Sequence, residues 1–168
     1  MSSLKVGDTL PEGTFSYIPY TPELDNSLAC GVPIKLSTNE WKGKKVVLFS
    51  VPGAFTPTCH AKHLPGYIEK YDEFKAKGVD VIAVLASNDA FVMSGWGRFE
   101  GLKDKILTLS DNGAEWSKSL GLTMEFAGLT RTSRYAIVID DLKVTYFEVS
   151  SQRSLPMVLT YNALKIRL

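Results

Sequence analysis

Two apolar runs, "KKVVLFSV" (44–51) and "VDVIAVLA" (79–86), constrain this chain more than any other feature. Each is apolar at consecutive rather than alternate positions and rich in β-branched residues, the pattern of a strand buried on both faces. The segment between them has helical spacing. Leu64, Ile68, Tyr71 and Phe74 recur at intervals of three and four, and Gly78 closes the pattern. Pro57 falls near the first turn, where a missing N–H costs nothing. Strand, helix and strand in this order form a βαβ unit with a right-handed crossover.

The flanking sequence extends that unit. The first forty residues are punctuated by Pro11, Pro19, Pro22 and Pro33, with "FSYI" as a short strand candidate. Asn88 is placed to cap a helix over 89–98, "KILTLSD" contains a third strand, and "GAEWSKSLGL" reads as a short helix closed by Gly121. "RYAIVID" and "KVTYFEV" predict a hairpin turning at "DDL", and a last helix is expected within 157–167. The expected fold is an α/β sandwich of the thioredoxin type, a central mixed sheet flanked by helices. With 168 residues and no repeat, low-complexity tract or linker, one domain over 1–168 is expected.

Composition narrows the function class. At 45% hydrophobic, 22% charged and net charge +1, the chain has no electrostatic footprint for nucleic acid or an anionic membrane. No segment approaches a membrane span, and "MSSLKVGDTL" has no apolar core of signal-peptide length. Two cysteines without an export signal point to a reducing compartment, where thiols are more often catalytic than structural.

One of those thiols stands in a distinctive place. "SVPGAFTPTCH" (50–60) leaves the first buried strand, passes two prolines and a glycine, and reaches Cys59 as the helix begins. Cysteine attacks as the thiolate, and a helix N-terminus favours an anion through unpaired N–H groups and the macrodipole. Thr56 adds a hydroxyl, Pro52 and Pro57 stiffen the loop, and Gly53 permits close approach. A cysteine can equally be a small buried hydrophobe, but an exposed loop at a helix start argues against that here. There is no Cys-x-x-Cys, since position 62 is Lys and position 56 is Thr, which disfavours a disulfide oxidoreductase. A Cys59–His63 dyad lacks an orienting third group. A zinc site would use nearly all of Cys30, Cys59, His60 and His63. His60 and His63 are expected on a solvated helix face.

"VPGAFTPTCH" resembles the active-site signature of the type II peroxiredoxins, the fifth peroxiredoxin subfamily. "HLPGYIEK", "KGVDVIAV", "NDAFVMSGW" and "RTSRYAIVIDDLKV" resemble the same branch in order and spacing, and "ACGVP" resembles its fungal alkyl hydroperoxide reductase and peroxisomal-type members. The resemblance implies a thioredoxin-like fold and reduction of hydrogen peroxide and alkyl hydroperoxides by a peroxidatic cysteine, with no metal or organic cofactor. It assigns that cysteine to Cys59, peroxide hydrogen bonding to Thr56, shielding of the thiol to Pro52, and stabilisation of the thiolate to Arg134, with Arg131 as the rival arginine. It further implies a homodimer in which Cys30 resolves oxidised Cys59 across the interface, the alternative being an idle Cys30 in a one-cysteine enzyme, and recycling by thioredoxin or by glutaredoxin and glutathione. The resolving cysteines that plant and animal members carry elsewhere are missing. The C-terminal "IRL" has Ile166 where a peroxisomal tripeptide wants a small residue, so a cytoplasmic location is expected, with the peroxisome as the alternative. A redox sensor of the same fold is the competing class, and sustained turnover with a reductant separates the two.

Overall fold

The computed structural model of the chain describes residues 4–150. Its strands and helices are, in chain order, β1 (Thr14–Tyr17), β2 (Ile34–Ser37), β3 (Lys45–Ser50), α1 (Leu64–Glu69), α2 (Tyr71–Ala76), β4 (Val81–Ala86), α3 (Ala90–Phe99), β5 (Leu107–Ser110), α4 (Glu115–Ser119), β6 (Thr123–Phe126), β7 (Leu129–Thr132), β8 (Tyr135–Asp140) and β9 (Lys143–Val149). Seven strands form one sheet in the order β2-β1-β5-β4-β3-β8-β9. β3, β4 and β5 run parallel, and their neighbours are antiparallel. This is the mixed sheet of a thioredoxin-like α/β fold.

Side-chain period explains why the central strands are apolar throughout. Val47, Phe49 and Val51 enter one core with Ile82, Val84, Ala136 and Val138, whereas Val46, Leu48, Ala83, Leu85, Ile137 and Ile139 enter the other. Successive residues point to opposite faces, and both faces are covered. On the first face Phe49 stacks on Tyr67 with ring centroids 3.7 Å apart, and Met93 and Trp96 of α3 complete the layer. On the second, Phe15 packs against Trp41 and edge-on to Trp116.

Several local expectations change. The predicted helix after β3 is interrupted twice. A π-helical turn, Cys59–His63, precedes α1, and Lys70 (φ −98°, ψ 10°) separates α1 from α2. Pro65 has no N–H to give Ala61, and the residue before it, Leu64, donates instead to Cys59 O, five residues back. Asn88 does not cap α3. Asp89 does, accepting from Phe91 N and Val92 N, because it is the residue immediately before the first helical one. Strand β2 and the β6–β7 hairpin were not predicted. β2 is an edge strand and β6 and β7 are short, with mostly exposed or half-exposed residues that show little apolar alternation. The helix expected within 157–167 lies outside the described residues.

Register positions the site. β3 and β8 pair antiparallel with Ser50 opposite Tyr135, so the loop leaving β3 lies beside the residues entering β8. Residue 134 is thereby brought to residues 51–59 across some eighty residues of sequence.

Candidate active site

The loop after β3 is held residue by residue. Thr132 Oγ1 donates to Val51 O (2.8 Å), Arg131 Nη1 donates to Pro52 O (3.1 Å) and Thr56 Oγ1 donates to Gly53 O (2.8 Å). Ala54 N donates to Asn88 Oδ1 (3.0 Å). Four consecutive residues are thus tied to the body or to each other. Gly53 lets Arg131 approach closely, since a Cβ there would lie 2.7 Å from Nη1 and would displace the end of that side chain. Phe55 adopts a left-handed backbone (φ 57°), which costs a non-glycine residue about 1–2 kcal/mol and which the surrounding anchors sustain.

His60 N donates to Thr56 O (2.9 Å), so a helical turn opens at Thr56 with Cys59 inside it. The Cys59 side chain is buried, 1% exposed, and not in an exposed loop as its neighbours in sequence imply. Its sulfur has a charged partner. Arg134 Nη2 donates to Cys59 Sγ at 3.2 Å, and Arg134 itself is 7% exposed. A guanidinium is permanently cationic, with several donors in a fixed plane, so one group can face a thiolate and an incoming oxygen together.

His63 is the largest correction to the expected site. Instead of a solvated helix face it occupies the core at 2% exposure, between Phe49 and Tyr67. His63 lies four residues after Cys59 and four before Tyr67, so it shares the buried face that they define. Its Nδ1 stands 2.9 Å from Arg134 Nη1. Arginine only donates, so Nδ1 is the acceptor and the ring proton sits on Nε2, which has no hydrogen-bond partner among the described residues. Burial first, and the Arg134 charge second, lower the His63 pKa to about 3, leaving the ring neutral. One guanidinium therefore spans a thiol and an imidazole. His60, by contrast, is half-buried at the surface, with Nδ1 3.1 Å from Trp96 Nε1 and 2.6 Å from Glu100 Oε1.

A pocket of about 380 Å³ opens above Cys59. Pro52, Thr56, Cys59 and Arg134 line it, and Met124 and Phe126 of β6 add apolar lining. Four of the five residues singled out in the sequence therefore meet. The fifth, Cys30, is an exposed free thiol in the segment between the Pro22–Asp25 turn and β2, and it does not line this pocket. Among the described residues, no group of three His, Cys, Asp or Glu side chains is placed to share a metal ion, and no helix is long and apolar enough to cross a membrane. Sequence reasoning missed the supporting residues Thr132, Asn88 and His63. Only the tertiary arrangement reveals what they touch.

Comparison with known proteins places the chain in a family. The Redoxin family model matches residues 5–162. The chain is 56% identical over 149 residues to a putative peroxiredoxin, prxA, of Emericella nidulans, covering 87% of each chain. It is 53% identical to peroxiredoxin Pen c 3 of Penicillium citrinum, covering 86% of each. Its fold superposes on reduced Prx3 of Vibrio vulnificus, solved in complex with hydrogen peroxide, with a TM-score of 0.83 and 43% identity over 96% of each chain. The chain belongs to the Redoxin family and, within it, is a peroxiredoxin of the type II branch, a peroxidase grouped with the fungal members.

Proposed function

We propose that Cys59 is the nucleophile with which this peroxidase reduces hydrogen peroxide and alkyl hydroperoxides. The observation that carries the reading is the Arg134 guanidinium 3.2 Å from a buried thiol at the base of an open pocket. The thiolate sulfur attacks the terminal hydroperoxide oxygen. The S–O bond forms as the O–O bond breaks, and the displaced oxygen takes up a proton and leaves as water or alcohol. Cys59 is left as a sulfenic acid, two electrons more oxidised.

Each neighbour has a part in that step. Arg134 is a fixed cation facing the charge that moves from sulfur to the leaving oxygen. Thr56, whose hydroxyl hydrogen is engaged by Gly53 O, has lone pairs left to accept from the hydroperoxide O–H. Pro52 shields the thiol from bulk water. Met124 and Phe126 offer an apolar surface to an organic substituent, which supports alkyl hydroperoxides as substrates, and the Vibrio relative's bound hydrogen peroxide supports the smallest member of the class.

Cys30 then attacks the Cys59 sulfenic sulfur, forming a disulfide and releasing water. Thioredoxin, or glutaredoxin with glutathione, returns both thiols by exchange. We place the two cysteines on different copies in a homodimer, since a two-fold axis generates two equivalent bridges. The exposed rings of Phe55, Phe91 and Phe99, the first and last in edge contact at 5.9 Å, offer an apolar face for a second copy. The cytoplasm is the location that fits this reading, since its reducing pool supplies the thiols that the cycle consumes.

The test is peroxide consumption with thioredoxin and glutaredoxin systems supplied separately. Cys59→Ser is expected to lose all turnover. Cys30→Ser is expected to be oxidised once at Cys59 and to lose the disulfide-linked species seen on a non-reducing gel. Turnover surviving in Cys59→Ser would end the assignment.

A further inference from the structure

The Cys30 segment is not a loose loop. Arg98, near the end of α3, donates from Nη1 to Ala29 O (2.9 Å) and from Nη2 to Asn26 O (2.7 Å). Asn26 closes the turn itself, its carbonyl accepting from Ala29 N (3.0 Å) and its side chain from Leu28 N (2.9 Å). Ala29 packs against the small cluster of Ile18, Leu24 and Ala90. On the other side of the thiol, Gly31 lies so close to Ile18 that a Cβ there would clash with the Ile18 side chain. Cys30 thus sits between two docked neighbours with its own side chain exposed, and Leu28 is exposed at 89%. A pocket of about 390 Å³, lined by Ile18, Leu24, Ser27 and Arg98 among others, opens beside the turn.

These features describe a thiol that is presented, with one planar cation supplying two of its tethers. We propose that Arg98 is a positioning residue for the second half of the reaction, holding the Asn26–Gly31 turn so that the Cys30 thiol meets the Cys59 sulfenic acid. This deepens the reading of Cys30 as the resolving thiol and rests on it. The step is the condensation of sulfenic acid with thiol to disulfide and water, its oxidant being the hydroperoxide already consumed at Cys59. Arg98 touches neither sulfur in the reduced protein and adds nothing to the first oxidation. Its effect is on orientation, because a released turn must be re-ordered in each encounter.

The experiment separates the two half-reactions. Reduced full-length protein is mixed with one equivalent of hydrogen peroxide. Sulfenic acid is trapped with dimedone, and disulfide is read on a non-reducing gel, in wild type, Arg98→Ala, Arg98→Lys and Cys30→Ser. Arg98→Ala is expected to form sulfenic acid at the wild-type rate but disulfide about tenfold more slowly, the loss typical of modest misplacement. Arg98→Lys should recover only part, since an ammonium cannot match the planar fork on two carbonyls. Gly31→Ala, which lifts the same turn from Ile18, should show the same delay, and it serves if Arg98→Ala does not fold. Disulfide forming in Arg98→Ala at the wild-type rate or faster overturns the inference while Cys30→Ser still stalls at sulfenic acid. If Cys30→Ser clears its sulfenic acid as fast as wild type, the resolving assignment itself falls, and the role of Arg98 with it.

Discussion

The two cysteines stand in opposite surroundings. Around Cys59, four consecutive loop residues are anchored, the thiol is buried, and its charged partner is itself bonded to a buried histidine. Around Cys30 there is an exposed turn beside a pocket, held by Arg98, by the turn's own Asn26 bonds and by the contacts of Ala29 and Gly31. A nucleophile gains from pre-organisation because its partners must already face the reacting oxygen when the charge moves. A resolving thiol has a different problem. A disulfide needs Cα atoms within about 7 Å, and Cys59 is enclosed, so at least one segment must give way. Anchors placed to present the thiol suit that second task.

The largest expected effect tests whether Arg134 is the centre of the rigid region. Arg134→Gln should slow oxidation of Cys59 roughly ten- to a hundredfold, the equivalent of losing a charge-assisted hydrogen bond of about 1.5–3 kcal/mol. Arg131→Gln, which loses the tether on Pro52 O but no contact to sulfur, should slow it less. Stopped-flow oxidation of both variants reads this directly, and equal effects would erase the distinction drawn between the arginines.

The next effect concerns His63. Its pKa is about 3 in the folded protein, against 6.5 ordinarily. Between those values the unfolded chain takes up a proton that the folded chain refuses. The contribution of this site to stability is complete above pH 6.5 and is lost as pH falls towards 3, with a slope approaching about 1.4 kcal/mol per pH unit. His63→Gln has no such proton to bind. Urea midpoints at pH 7.5, 6 and 5 should therefore fall more steeply for wild type than for the variant, and parallel curves would show that the imidazole is not held neutral.

The smallest effects sharpen the contrast between the regions. Thr132→Val leaves Val51 O without its buried donor and should cost about 1–3 kcal/mol of unfolding free energy. Leu28→Ser on the Cys30 turn should change it by no more than about 0.5 kcal/mol. Chemical denaturation of the two proteins makes the comparison, and a Leu28→Ser loss matching that of Thr132→Val would mean the turn is as constrained as the site.

Much was legible before any coordinate. The unbroken apolar runs of β3 and β4 require a sheet covered on both faces, so the architecture follows from side-chain period alone. Thiol, threonine and proline are close in sequence, so the local signature carries their proximity, and the family resemblance carried Arg134 as well. What the sequence could not show depends on pairing between distant segments. Ser50 opposite Tyr135 sets Arg134 on Cys59 and Thr132 on Val51. That the face shared by Cys59 and His63 is buried, with the imidazole edge-on to Phe49, depends on where the helical turn docks on the sheet. The Arg98 tether joins residues about seventy positions apart. A sequence states local preferences and periodicity, which decide the elements and the nucleophile. Which polar groups meet across a long loop is decided only when the sheet register is fixed, because a one-residue slip would point every side chain the other way.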